Sequence, residues 1–334
     1  MTILITGGLG YIGSHTAVAF ANAWYDVVIV DNLSNSDIGV LENINSLVPK
    51  PIAFYQCDLR DKNNLSKIFE EHKIDGVIHF AAFKAVGESC EKPFLYYDNN
   101  IGGGNSLYEV MQTYAVRKVV FSSSCTVYNT VDNQPPYDES TSLKTMNPYG
   151  STKLIAEIIL QDLSTHLGFQ TIALRYFNPI GAHPSGMIGE NPRGVPSNLL
   201  PYIYGVLIGT YEHLSVWWND YPTPDGSCIR DYLHIMDLAE AHLKAYELLK
   251  LKDEGPYFDV INLGTGKWTS VMEMIQLTEK ITWQKLPYKI CPKRAGDATS
   301  VYANPQKAHD VLWRKATRSV EDAIRDWWKF IQSK

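Results

Sequence analysis

The stretch TILITGGLGYIGSH (2–15) limits the possible folds of this chain more than any other. An apolar, β-branched run stops at a cluster of glycines, and a helical pattern begins directly after it. Gly8, Gly10 and Gly13 satisfy G-x-G-x-x-G, and Gly7, Gly10 and Gly13 offer a second spacing. Glycines let a backbone turn tightly and approach a pyrophosphate, whose charge then sits at a helix N-terminus. The next apolar run, DVVIV (26–30), ends at Asp31, placed to accept hydrogen bonds from an adenosine ribose. No Lys or Arg occurs between Asp31 and Lys50, so nothing nearby welcomes a 2′-phosphate. NAD is favoured over NADP.

The rest of the first half keeps this rhythm. The runs 52–57, 76–81, 118–123 and 171–177 read as further strands, near-continuously apolar as in strands covered on both faces. Helical patterns lie between them at about 12–23, 61–72, 99–115 and 150–167. Such alternation predicts an α/β fold, a doubly wound parallel sheet of Rossmann type. A smaller, interleaved C-terminal α/β substrate domain is expected beside it. The expected division is 1–177 for NAD, with a returning segment at about 231–250, and 178–334 mainly for substrate. The Gly/Pro-punctuated stretch 181–198 is too long for a plain connector and points to function. Near the end, Ser319 is placed to cap a helix whose Val320, Ala323, Ile324, Trp327 and Ile331 share one face.

Charge and cysteine usage exclude several classes. The net charge of −6 offers no basic footprint for nucleic acid or an anionic membrane. Cys57, Cys90, Cys125, Cys228 and Cys291 are odd in number and form no C-x-x-C pair. Reduced thiols are therefore expected, without a disulfide frame or metal site. The apolar run at the N-terminus is too short for a signal peptide or membrane span. A cytoplasmic protein is expected.

A second motif carries chemistry. In NPYGSTK (147–153), a helix starting near Tyr149 places its ring and the Lys153 amine one turn apart on one face. A tyrosine hydroxyl, with a pKa near 10, is a poor base at neutral pH, and a cation beside it favours the phenolate. Beside a nicotinamide that accepts a hydride, Tyr149 is placed to remove the accompanying alcohol proton. FSSSCTVY (121–128) ends the fifth strand, at the sheet edge where ligands bind, and Ser124 or Thr126 there is suited to orient that alcohol.

Together with DNLSNS (31–36), VIHFAAFKAVGES (77–89), YYDNN (96–100), LRYFNPIGAHPSG (174–186), NDYPTPDGSCIRDYLHIMDLA (219–239) and INLGTG (261–266), these motifs resemble the extended short-chain dehydrogenase/reductase family over almost the whole chain. The resemblance is strongest to its nucleotide-sugar epimerases. It implies interconversion of UDP-galactose and UDP-glucose by C4 oxidation, rotation of a 4-keto sugar and re-reduction, in a homodimer that keeps NAD bound. Tyr149, Lys153 and Ser124 are the implied catalytic residues. The implied NAD site comprises Gly7, Gly10, Tyr11, Ile12, Gly13, Asp31, Asn32, Asn35, Ser36, Asp58, Leu59, Phe80, Ala81, Lys84, Asn99 and Phe177, with the catalytic three. For the UDP-sugar it implies Asn178, Asn198, Leu199, Trp217, Arg230, Arg294, Asp297 and Val301, with Ser124 and Tyr149. Arg230 and Arg294 offer fork-shaped donors suited to a diphosphate.

The same resemblance frames the rivals. Dehydratases of the family place an Asp-Glu pair beside the threonine after the serines, whereas Thr126 here is flanked by Cys125 and Val127. A non-catalytic NAD-sensing protein is expected to lose the tyrosine or lysine, and this chain keeps both. The chain also departs from the pattern. Asn129 and Trp218 stand where relatives usually carry glycine, and Gly102, Gly103 and Gly104 open a helical segment at about 1 kcal/mol each relative to alanine.

Overall fold

The computed structural model describes all residues except 195, 197, 253–254, 294–297 and 313–314. The first half runs through β1 (Thr2–Thr6), α1 (Tyr11–Asn22), β2 (Asp26–Asp31), α2 (Gly39–Asn45), β3 (Ala53–Gln56), α3 (Lys62–Glu71) and β4 (Ile74–His79). It continues with α4 (Val86–Glu91), α5 (Pro93–Tyr96), a π-helical turn (Tyr97–Gly102), α6 (Gly103–Thr113), β5 (Lys118–Ser124), α7 (Pro148–Leu167) and β6 (Gln170–Tyr176). Then follow β7 (Asn178–Ile180), α8 (Leu199–Leu207), β8 (Leu214–Trp217), β9 (Ile229–Arg230), β10 (Tyr232–His234) and α9 (Ile235–Lys250). The chain ends with β11 (Tyr257–Leu263), β12 (Thr269–Ser270), α10 (Val271–Thr282), β13 (Tyr288–Cys291), β14 (Ser300–Val301), α11 (Gln306–Leu312) and α12 (Val320–Gln332).

Seven strands form one sheet in the order β11-β6-β5-β4-β1-β2-β3. β1 pairs in parallel with both β2 and β4, so the strand order reverses at β1. In such sheets the crevice beyond the carboxyl ends of the strands, at this switch point, takes the ligand. The glycine turn follows β1 directly. All six strands read from the first half are present, and β11 adds a seventh at the edge. Asp259 and Asn262 interrupt its apolar run, which hides it from a periodicity reading. The single helix expected at 99–115 is instead a π-helical turn leading into α6. Added Cβ atoms at Gly102, Gly103 and Gly104 would make only ordinary contacts of 3.5–3.7 Å, so packing gives no reason for three glycines.

The chain divides into two compact units: 1–127 with 145–175 and 239–261, and 128–144 with 176–238 and 262–334. In the first, Leu4, Val77, Leu107 and Val119, all fully buried, pack sheet against helix. In the second, Ile203, Met274, Ile324 and Trp327 form a separate core. Ser319 and Asp322 make the reciprocal cap of α12, which buries Ala323, Ile324, Trp327, Phe330 and Ile331.

The second unit is tied together by IRDYLHIMD (229–237). The fully buried Asp231 carboxylate accepts the backbone N–H groups of Thr265, Gly266 and Ala303 at 2.9–3.2 Å and the Thr265 hydroxyl at 2.7 Å. Asp237 likewise accepts the backbone N–H groups of Thr317 and Arg318 and, at 2.6 Å, the Arg318 guanidinium. The glycine of INLGTG has a specific cause, since a Cβ at Gly264 would lie 2.5 Å from Asp231 Oδ2 and 2.6 Å from Ala303 Cβ. Gly264→Ala should therefore lower stability by about 1–3 kcal/mol, the usual cost of overpacking. Denaturant midpoints check this, with Gly87→Ala as a control, because a Cβ at Gly87 meets nothing within 4 Å and should cost nothing.

Candidate active site

The glycine turn uses the glycines of both spacings. Gly7 has φ +67°, and a Cβ there would lie 2.8 Å from the Ala81 nitrogen; a Cβ at Gly13 would lie 2.2 Å from the Gly7 oxygen. A Cβ at Gly8 would lie 2.7 Å from the Ile29 side chain and 3.1 Å from the Ile5 oxygen, and one at Gly10 would lie 3.2 Å from the Gly7 oxygen. All four glycines thus sit in close approaches, and Gly7 is set apart by its left-handed φ. Gly10 is the N-cap of α1, and no side chain caps the helix's first amides. Tyr11 and Ile12 form the first turn that presents them.

Asp31, at the end of β2, is buried, and its oxygens accept the N–H of Leu9 (3.1 Å), the N–H of Leu33 (2.9 Å) and the Ser36 hydroxyl (2.8 Å). The carboxylate is thereby fixed beside the glycine turn. Asn32 donates to Asp58 at 3.0 Å, and Arg60 grips Asp58 with Nε at 2.9 Å and Nη2 at 2.8 Å while also pairing with Asp98. This guanidinium holds the Asp58 carboxyl well below the usual range. Leu59 is buried beside it, whereas Lys84 is exposed. Asn35 lies on the exposed loop after β2; Phe80 and Ala81 follow β4 directly.

Asn99 belongs to the π-helical turn, a distortion frequent at functional sites. Its neighbour Asn100 is a residue the sequence reading passed over. Its amide accepts the Phe83 N–H (2.8 Å) and donates to the Phe83 carbonyl (3.1 Å) and the Thr152 hydroxyl (3.0 Å). The loop after β4 is thus tied to α7. A buried, uncapped, glycine-lined turn with an acidic residue beside it is the donor and acceptor set that a dinucleotide requires, so these residues fit NAD.

The catalytic candidates come together at β5 and α7. Asn147 caps α7 by accepting the Gly150 N–H at 2.8 Å, and Pro148 occupies the first helical position. A Cβ at Gly150 would lie 2.8 Å from the Thr126 carbonyl oxygen, so glycine lets the first turn close on the end of β5. Tyr149 and Ser124 are left within hydrogen-bonding reach. One turn on, Lys153 is buried and donates to the Ser122 carbonyl at 2.6 Å, with Nζ 5.9 Å from the Tyr149 ring centre. Thr126, the alternative to Ser124, donates its own hydroxyl to Ser124 at 3.0 Å.

Electrostatics here differ from the expectation. Burial pushes Tyr149 up to about 12, opposed by the Ser124 hydrogen bond, and pushes Lys153 down to about 7, opposed by the Glu157 charge. Desolvation thus dominates at both groups, favouring the neutral phenol and the neutral amine, and no lowering of Tyr149 by Lys153 accompanies it.

The second unit carries most substrate candidates. Asn178 opens β7, its N–H bonded to the Asp231 carbonyl at 3.0 Å, and Phe177 donates its N–H to the Leu263 carbonyl. Asn198 precedes α8 and donates to the buried Glu190 at 2.6 Å; Leu199 is the first residue of α8. Trp217 ends β8 and is 41% exposed. Arg230 in β9 and Val301 in β14 are register partners of a parallel pair, so these two candidates stand side by side. Arg294 and Asp297 lie outside the described residues. Asn129 forms a local turn, accepting the N–H groups of Val131 and Asp132 at 3.2 Å. Trp218 has φ +71°, a left-handed conformation that explains the glycine of relatives and that a tryptophan adopts under strain.

Comparison with known proteins places these residues in context. Residues 3–264 match the model of the NAD dependent epimerase/dehydratase family. The UDP-glucose 4-epimerase of Bacillus subtilis (strain 168) is 48% identical over 334 residues, covering 100% of this chain and 97% of the relative. A crystal structure of UDP-glucose-4-epimerase from Stenotrophomonas maltophila, with bound NAD and formylated UDP-arabinopyranose, is 43% identical; it aligns over 100% of this chain and 98% of that one with a TM-score of 0.96. A Bifidobacterium longum UDP-glucose 4-epimerase in complex with NAD+ and UDP is 42% identical, covers 100% and 99%, and has a TM-score of 0.93.

Proposed function

Because the chain belongs to the NAD dependent epimerase/dehydratase family, we propose that it is an NAD-dependent enzyme interconverting UDP-galactose and UDP-glucose. The observation that carries this reading is the Tyr149–Ser124–Lys153 arrangement at the carboxyl end of β5, in the same unit as the glycine turn. Full-length similarity to UDP-glucose 4-epimerases supports it. Neither the dehydratase nor the NAD-sensing alternative has comparable support. The reaction oxidises the sugar at C4, rotates the 4-keto sugar and reduces it from its other face, leaving no net redox change.

Bound NAD supplies the hydride acceptor and, in its oxidised form, a positive ring charge. Gly7, Gly10 and Gly13 let the backbone approach the pyrophosphate, and Asp31 takes the adenosine ribose. Tyr149 accepts the C4 hydroxyl proton and returns it, and Ser124 orients that oxygen. Lys153, anchored on Ser122, holds the nicotinamide ribose. Asn178, Asn198, Leu199, Trp217, Arg230 and Val301 bind the nucleotide sugar, with Arg230 as the fork for the diphosphate.

We assign the chain to the cytoplasm, in keeping with five cysteines that form no disulfide. No described helix is long and apolar enough to cross a membrane. A homodimer is supported by apolar side chains left exposed on two helices that pack together: Phe94 (89%) and Leu95 on α5 and Ile158 (51%) on α7.

The test is to incubate the purified protein with UDP-galactose, without added NAD, and to look for UDP-glucose. Tyr149→Phe should keep the fold and bound NAD but lose at least about a hundredfold in turnover, the usual worth of a general base. Near-normal turnover by that variant would sink the assignment.

Sugar selectivity gives a second outcome. The family resemblance places a bulky tyrosine at Val301 in members restricted to glucose and galactose nucleotides. Valine leaves more space beside Arg230, so UDP-GlcNAc and UDP-GalNAc should also be interconverted. Val301→Tyr should penalise the N-acetyl pair by about 1–3 kcal/mol, or about 5- to 150-fold. Equal turnover of the N-acetyl sugars by the variant, or none by the wild type, would contradict this.

A further inference from the structure

The three serines of FSSS have separate duties, and the middle one leads to a group that the reaction does not obviously need. Ser122 supplies the carbonyl that holds Lys153, and Ser124 reaches Tyr149. The Ser123 hydroxyl donates instead to Glu157, which lies one turn beyond Lys153 on α7. Glu157 Oε1 also accepts from Arg175 Nε at 2.9 Å, and Oε2 accepts from Arg175 Nη2 at 2.5 Å. Both side chains are 4% exposed. Arg175 lies near the end of β6, two and three residues before Phe177 and Asn178. One carboxylate therefore fastens the helix that carries Tyr149 and Lys153 to the two strands leading into the site.

A buried ion pair is weak evidence for stability, because apolar replacements often serve as well. Its placement needs another reason. We propose that Glu157 is a positioning residue for the reaction: held by Arg175 and Ser123, it fixes the register of α7 on β5 and keeps the Lys153 ammonium charged and aimed at Ser122. The inference rests on the reading of Tyr149 and Lys153 given above.

The surroundings of Lys153 single out Glu157 among the described residues. From β4 it meets His79, whose Nδ1 is bonded to the Thr6 hydroxyl at 2.8 Å and which burial keeps neutral. From β5 it meets the Ser122 carbonyl and the Phe121 ring, 5.0 Å from Nζ. Its own helix contributes Tyr149, protonated at neutral pH, and Glu157; β6 contributes Arg175 behind Glu157. Glu157 is the anion whose charge opposes the desolvation of the ammonium.

The experiment follows Lys153 directly in the purified protein by 15N NMR of labelled lysine, assigned with Lys153→Met, alongside the pH profile of epimerisation. In Glu157→Gln the Lys153 titration should move down by about one unit or more. The alkaline limb of the profile should move in the same direction and by a similar amount. Glu157→Asp, which keeps the charge, should move both back toward wild type. If Glu157→Gln does not fold because Arg175 is left unpaired, the double variant Glu157→Gln with Arg175→Gln removes both charges and should still shift the titration downward. A role in stability alone lowers yield or midpoint but moves neither titration nor limb, and that result overturns the proposal. Tyr149→Phe separates the two claims. If that variant is inactive while Lys153 does not shift, only the role of Glu157 fails; if it is active, the functional reading fails.

Discussion

An ammonium group in a protein interior survives only where something replaces its water, and the hydrogen bond from Lys153 to the Ser122 carbonyl is that replacement here. Much of the site follows from it. A helix whose fifth residue beyond its start must reach a strand-end carbonyl cannot stand off from that strand. Asn147 and Pro148 set where α7 begins, and Gly150 removes the one Cβ that would hold its first turn away from Thr126. Tyr149 is carried with that turn onto Ser124. The proposed catalytic pair is a consequence of how closely α7 and β5 approach, and small residues and caps regulate that approach.

Burial has an opposite effect on the two groups, raising the pKa of the phenol and lowering that of the amine. Desolvation alone therefore works against both the base and the cation. In the proposed reaction the positive ring charge of bound oxidised NAD would favour the phenolate. The network of Glu157, Arg175 and Ser123 holds the cation in place meanwhile.

Legibility in the sequence followed locality. The glycine turn, the strand-end Asp31 and the Tyr149–Lys153 spacing each declare themselves within a few neighbouring residues, because positive φ, strand ends and helical periodicity are local constraints. Glu157 and Arg175 do not. A glutamate and an arginine 18 residues apart look like two solvated charges until the fold shows both enclosed. Asn100 carries no local sign of its role either, since nothing near it in sequence announces a bond to Thr152. The strand β11 was hidden by its polar residues. The meaning of Gly264 depends on Asp231, more than thirty residues earlier, and on Ala303, nearly forty residues later. Trp218 shows the reverse case, a residue whose oddity was visible in sequence but whose cause, a left-handed backbone, was not.

The proposed reaction requires that the hydrogen taken from C4 be handed back to C4 inside the same site. Epimerisation of UDP-galactose deuterated at C4 measures it. Mass and NMR analysis of the product should find UDP-glucose with the deuterium fully retained at C4 and no hydrogen entering that carbon from solvent. Loss of the label to solvent, or product formation only with a continuous supply of reduced cofactor, would contradict it.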